Sequence, residues 1–200
     1  MALYIPKLNL VFLHIYKTAG TAIRSAFMRL DRDCVEIGYG HASYYEIADK
    51  VEDKRIFSVV RNPYDWIYSL YQYGRNHSSH PFYCFCITHT FDEFVGWYLK
   101  NEQTLDSLNE SGQLNGRLQT QSDYLSFNGE LKVPDVMKME KLEYDLNIFL
   151  LQLGFNAIRL EMLNSSAYAK PNHEDFNKDT IERINKRYES DFVNFNYKML

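Results

Sequence analysis

Residues 9–24, NLVFLHIYKTAGTAIR, constrain this chain most. An apolar run over residues 10–15 stops abruptly at Tyr16-Lys17-Thr18-Ala19-Gly20-Thr21, and a helical pattern follows over residues 22–30. The pattern reads as strand, tight loop and helix. Backbone N–H groups at a helix N-terminus are unpaired and carry partial positive charge, so such a loop can hold a phosphate or sulfate. Lys17 adds a point charge, Thr18 and Thr21 add hydroxyl donors, and Gly20 lets the backbone approach closely. The order differs from a Walker A loop, since no glycine precedes Lys17 and the glycine follows the lysine. On this loop alone, a plain strand-to-helix turn with an incidental lysine remains open.

A second strand-to-helix junction lies at residues 55–65. The apolar run RIFSVV, residues 55–60, is followed at once by Arg61-Asn62-Pro63. Asn62 suits an N-cap and Pro63 the first helical turn, so a helix is expected over residues 64–73. Arg61 then stands at a strand's carboxyl end, beside a helix N-terminus, and Ser69 lies two turns up that helix. An arginine there can grip a phosphate bidentately. The simpler alternative pairs it with the nearby Asp65.

Two hundred residues suit one domain, spanning residues 1–200, with a sizeable core. A net charge of -4 argues against general nucleic-acid binding. No apolar run is long enough to span a bilayer, and the N-terminal residues lack the pattern of a signal peptide. The three cysteines cannot all pair within one chain, and Cys84-Phe85-Cys86 lacks the spacing and second pair of a zinc site. Reduced thiols in a cytoplasmic protein are the expectation, with a lumenal domain separated from its anchor as the alternative. No metal site is expected.

The remaining pattern alternates strands and helices. Residues 34–37 form a short strand candidate, Gly38-Tyr39-Gly40-His41 breaks the pattern, and residues 43–50 read as a short helix. A glycine-flanked histidine in that place sits where active-site loops sit in open α/β sheets; taken alone, it is more simply an exposed or helix-capping residue. Residues 76–89 read as loop. Residues 91–99 read as a helix, with Thr90 as N-cap and Glu93 completing a capping box. Residues 101–116 are polar and read as loop or weak helix. Residues 135–139 read as a strand that brings Glu140 to the functional rim. Leu142, Leu146, Phe149, Leu150 and Leu153 share a helical face, and Gly154 ends that helix. A loop is expected over residues 163–171, and a final helix over residues 179–195. The whole implies an α/β fold of three layers, α/β/α, around a mainly parallel sheet.

Two of these segments carry a family resemblance. HIYKTAGT resembles the HIPKTGGT-type loop of the sulfotransferases that use 3'-phosphoadenosine 5'-phosphosulfate (PAPS), with Tyr16 where that family usually has proline. SVVRNPYDWIYSLY resembles the family's VRNP segment and its following serine. The resemblance implies a P-loop NTPase-like sulfotransferase fold, and transfer of a sulfuryl group from PAPS to an acceptor hydroxyl, leaving adenosine 3',5'-bisphosphate (PAP), with no metal required. It implies that Lys17, Thr18, Ala19, Gly20, Thr21 and Ala22 cradle the 5'-phosphosulfate, that Lys17 offsets charge on the leaving oxygen, and that Arg61 and Ser69 hold the 3'-phosphate. IGYGHASYYEI, between the two motifs, resembles a segment of the heparan sulfate 6-O-sulfotransferases in which the histidine is the catalytic base. In that context His41 is read as the base, with Glu140 as a lesser alternative.

The run from Asn115 resembles an Asn-Arg-Gln-Thr segment near the acceptor in those enzymes, implying Arg117, Gln119 and Gln121 as acceptor contacts. Asn164, Ser166 and Lys170 correspond to a segment that closes over the nucleotide. The closing helix, with Tyr188, Asp191 and Phe192, is similar to the family's Tyr-x-x-Asp-Phe helix. The acidic chain suggests a saccharide or small metabolite as acceptor rather than a highly sulfated polymer. A P-loop-type kinase and a non-catalytic PAP- or PAPS-binding protein are the other classes this sequence admits.

Overall fold

The computed structural model describes residues 2–101, 120–161 and 171–200. Its strands are β1 (Ala2–Ile5), β2 (Leu10–Leu13), β3 (Val35–Ile37), β4 (Arg55–Val60), the short pair β5 (Ser126–Phe127) and β6 (Glu130–Leu131), and β7 (Asp135–Lys138). Its helices are α1 (Gly20–Leu30), α2 (Tyr44–Ile47), α3 (Pro63–Asn76), α4 (Tyr83–Thr88), α5 (Phe91–Lys100), α6 (Gln121–Leu125), α7 (Leu142–Gln152), α8 (Lys178–Arg187) and α9 (Glu189–Asn194).

The main sheet has the order β3-β1-β2-β4-β7. β2, β4 and β7 are parallel, with Leu13 opposite Ser58 and Val60 opposite Lys138. β1 runs antiparallel to both its neighbours, so β3 points the same way as β2. Four carboxyl ends therefore meet along one edge, and the residues that follow them are Gly38–His41, Tyr16–Ala19, Arg61–Asn62 and Met139–Lys141. This edge is where an open α/β sheet binds its ligands.

Successive strand residues face opposite sides of the sheet, and each side has its own core. Val11, Leu13 and Ile15 of the first parallel strand and its exit join Ile56 and Val60 under α3 and α5. Leu10, Phe12, Phe57 and Val59 pack instead with Ile23, Ala26 and Phe27 of α1 and with Leu146, Phe149 and Leu150 of α7. The chain is thus a three-layer α/β/α fold around a mainly parallel sheet. Burying Phe27, Phe57 and Leu150 removes side chains worth about 1.5–3 kcal/mol each from water, which ties α1 and α7 to that face.

Several local features differ from the sequence expectation. β1 is a strand next to a Pro6–Leu8 3-10 turn, closed by Asn9 in the left-handed region. The segment at residues 76–89, expected as loop, contains α4; no side chain caps its N-terminus, and it is held by burial of Cys86 beside Gly74 of α3 and of Phe82 against α5. The final helix is two helices, broken at Tyr188, whose φ of -110 and ψ of 24 leave the helical region. Asn128 and Gly129, both at positive φ, make the turn of the β5–β6 hairpin.

Candidate functional site

The loop after β2 is shaped by its backbone. Lys17 and Ala19 both lie in the left-handed region, at φ 62, just before α1 begins at Gly20. Ala19 is the N-cap of α1 and has no side-chain cap to offer. The first helical bond runs from the Ala22 N–H to the Ala19 carbonyl, which leaves the N–H groups of Gly20 and Thr21 without an intrahelical acceptor. The Thr18 hydroxyl turns inward: it is fully buried and donates to the Ile15 carbonyl at 2.7 Å. Thr21 is exposed at the start of the helix and lines an open cleft.

Tyr16 anchors the loop by packing. The indole N–H of Trp66 donates to its carbonyl at 2.8 Å, and its ring lies 4.8 Å from Trp66 and 5.8 Å from His41, between centroids. Trp66 is on α3, so this contact ties the first loop to the second strand-to-helix junction.

Lys17 is half-buried, and its ammonium lies 3.9 Å from the centre of the Tyr73 ring on α3. Such a cation–π contact holds the charge without neutralising it. Arg61 is also half-buried, and its guanidinium donates to the Lys17 carbonyl at 3.5 Å. Burial pushes the Lys17 amine down to about 8, with the Arg61 charge adding to the effect. Burial lowers Arg61 as well, against the opposing charges of Asp65 and Glu140. Among the described residues neither cation forms an ion pair with a carboxylate. Asp65, the simple partner for Arg61, binds His173 instead, at 2.7 Å. Asn62 caps α3 as expected, accepting from the Tyr64 N–H at 3.0 Å, and Pro63 occupies its first turn. Ser69 is half-buried on the same helix.

On the other side of the loop, His14 and His41 meet edge to face, with ring centres 4.6 Å apart. Nδ1 of His41 lies 3.2 Å from the His14 carbonyl oxygen. With the proton on Nδ1, that nitrogen donates to the carbonyl, and Nε2 keeps a lone pair. Burial holds the His41 imidazole down to about 4, helped by the charges of Arg24 and Lys17, so the ring is neutral at neutral pH. His41 does not cap α2; Ser43 does, in a capping box with Glu46. Both histidines line an open cleft of about 610 Å³ with Gly40 and with Thr21, Arg24 and Ser25 of α1.

Two strand-to-helix loops on adjacent parallel strands thus each carry a half-buried cation. Comparison of the sequence decides the family: residues 1–198 match the family described as "Sulfotransferase family". The chain belongs to that family. Comparison with curated proteins and with solved structures finds no match. As a sulfotransferase, the protein is a transferase whose acceptor carries the group to be sulfated.

The site residues expected from the sequence fall into three groups. Lys17, Thr18, Ala19, Gly20, Thr21, Ala22 and His41 form or adjoin the first loop of this sulfotransferase, with Arg61 beside it and Ser69 farther along α3, but the Thr18 hydroxyl, expected as a donor to the ligand, is buried on the Ile15 carbonyl. Gln121 is fully buried rather than open to an acceptor: its side chain binds the backbone of Arg61. Glu140 is engaged too, accepting from the Asn62 N–H and the Tyr197 hydroxyl, each at 2.8 Å. Arg117, Gln119, Asn164, Ser166 and Lys170 lie outside the described residues. Sequence reasoning missed His14, Trp66 and Tyr73. His14 and Trp66 each stood inside a matched motif, HIYKTAGT and SVVRNPYDWIYSLY, whereas Tyr73 carried no signal.

Proposed function

We propose that this sulfotransferase takes its sulfuryl group from PAPS and passes it to a hydroxyl of a saccharide or small metabolite. One observation carries the reading: Lys17 and Arg61, two half-buried cations that make no ion-pair contact among the described residues, converge at adjoining loops beside an uncapped helix N-terminus. Buried charge of one sign is costly unless a partner of the opposite sign joins it. The donor set fits a nucleotide with phosphate-type groups at both ends. The N–H groups of Gly20 and Thr21, with Lys17, would hold the 5'-phosphosulfate, and Arg61 with Ser69 the 3'-phosphate.

When bound, the donor supplies a sulfuryl group already activated by its phosphate leaving group. The chain's own residues do the rest. His41 takes the acceptor hydroxyl's proton at Nε2, its tautomer held by the bond from Nδ1 to the His14 carbonyl. Lys17 and the loop N–H groups, fixed before reaction, offset negative charge at the donor's phosphates. The test is calorimetric titration with PAP, AMP and ATP in the absence of magnesium. Strong preference for PAP supports the reading. Equal binding of PAP and AMP would remove Arg61 from the 3'-phosphate, and magnesium-dependent ATP hydrolysis would favour a kinase.

A further inference from the structure

A buried polar relay runs from the C-terminal helix α9 to the strand end that carries Arg61. Asp191, fully buried on α9, accepts the Gln121 N–H at 2.9 Å on Oδ2 and the Ser122 N–H at 2.7 Å on Oδ1. Those two N–H groups open α6, so one carboxylate caps a helix contributed from 70 residues away. The Gln121 side chain, also fully buried, then closes on the Arg61 peptide groups. Its Oε1 accepts the Arg61 N–H at 2.8 Å, and its Nε2 donates to the Arg61 carbonyl at 2.8 Å. The same Nε2 lies 3.4 Å from Asp191 Oδ2.

Arg61 is the first residue past the end of β4, so these bonds lie beyond that strand's own ladder. Their geometric effect is on Arg61 itself. A side-chain amide that satisfies both the N–H and the C=O of one residue fixes that residue's backbone as a neighbouring strand would. With its backbone fixed, the arginine side chain leaves the sheet edge from a defined point, next to the Lys17 carbonyl that it contacts.

We infer that Gln121 and Asp191 are positioning residues for Arg61, and that they set this enzyme's discrimination for a 3'-phosphate without touching the nucleotide. The inference rests on the proposed role of Arg61. It also gives the aspartate of the closing helix a task beyond packing. Gln121 could not be replaced by a contact to water here, since the site around it is closed. Removing its amide strands two backbone groups of Arg61, and a buried polar group left without its partner is costly.

The experiment is calorimetric titration of PAP and AMP into the full chain and its variants, with thermal unfolding to confirm folding. In Gln121→Met, the ratio of PAP to AMP affinity should fall about tenfold or more, while AMP binding stays within about twofold. In Asp191→Asn, which keeps one acceptor oxygen, the ratio should fall less, by about threefold. Added to Arg61→Ala, Gln121→Met should lower the ratio no further, because both act through one side chain. If Arg61→Ala leaves the ratio unchanged, the reading of Arg61 fails first. If Arg61→Ala lowers it but folded Gln121→Met does not, or if PAP and AMP weaken equally in Gln121→Met, the positioning role is overturned. Should Gln121→Met not fold, Asp191→Asn decides: a ratio equal to the parent's overturns the inference.

Discussion

The imidazole of His14 occupies the space that a side chain on Gly20 would need. A β-carbon at residue 20 would lie 1.7 Å from His14 Nε2, far inside contact distance. The glycine at the head of α1 is therefore demanded by a neighbouring ring, since its own φ is not in the left-handed region.

Gly20→Ala should destabilise the protein by about 1–3 kcal/mol, as overpacking does, and lower the melting temperature by about 2–4 °C for each kcal/mol. Adding His14→Ala should restore at least half of the loss by emptying the contested space. Thermal unfolding of the single and double variants checks this. A Gly20→Ala protein that melts with the parent would mean the ring swings aside freely.

The rate should depend on pH in a direction set by two shifted groups. His41 must be neutral to accept a proton, and burial holds it down to about 4, so protonation removes the base only well below the ordinary histidine value of 6.5. Lys17 must be charged, and burial with Arg61 holds it down to about 8, so its charge is lost as pH rises through that value. The profile of kcat/KM, which reports the free enzyme, should be level between those values and fall on both sides. Lys17→Arg should remove the alkaline fall, because arginine stays charged. An acid limb centred near 6.5 would show that His41 is not the group titrating in this environment.

His41→Ala should lower kcat by about a hundredfold or more while leaving PAP affinity within about twofold. His41 faces the cleft from the α1 side and makes no contact with Arg61, so nucleotide binding has no reason to follow. Turnover measured with labelled PAPS beside PAP titration separates the two effects. Unchanged turnover would assign the proton to another group.

Asn62→Ala removes the cap of α3 and should cost about 1 kcal/mol. The melting temperature should fall by about 2–4 °C. The Glu140 carboxylate still accepts the backbone N–H at residue 62, so the start of the helix is held from a second side. A loss much larger than this would mean that the Asn62 side chain supports more than its own helix.

Much of this architecture was legible where local chemistry and tertiary packing agree. The strand of residues 10–15 and the helix after Gly20, the Asn62-Pro63 start of α3, and the Thr90–Glu93 capping box are all stated by residue type and spacing, and the structure has each of them. β1 was not legible, because four residues ahead of a proline show no period. The β5–β6 hairpin was missed although Asn128-Gly129 announces such a turn. α4 has no capping signal and owes its existence to what Cys86 and Phe82 pack against. The break at Tyr188 was hidden because the apolar spacing of Ile184, Tyr188, Phe192 and Phe195 continues across it.

At the candidate site, Lys17 and Arg61 were visible as charges at strand ends, but the partners that aim them were not. Gln121 and Asp191 lie 60 and 130 positions from Arg61, and no period links residues so far apart. Gln121 was expected to face an acceptor; the oxygen and nitrogen of its amide serve the backbone of Arg61 instead. His14 fell within the apolar run of residues 10–15, and the close approach of Gly20 shows what its ring does.

The antiparallel strand inserted in the sheet has a consequence for the order of assembly. β1 and β2 are joined by one short turn, so they can pair early in the life of the chain. The parallel partner of β2 arrives only with residues 55–58, and β7 later still, each after a long loop has been closed. Lys17 lies just past that first pair, but Tyr73 and Arg61, which contact it, join only through distant pairings, as does the relay behind Arg61. Recognition of both ends of one nucleotide would thus be a late property of folding, gained when the slowest contacts of the sheet are made.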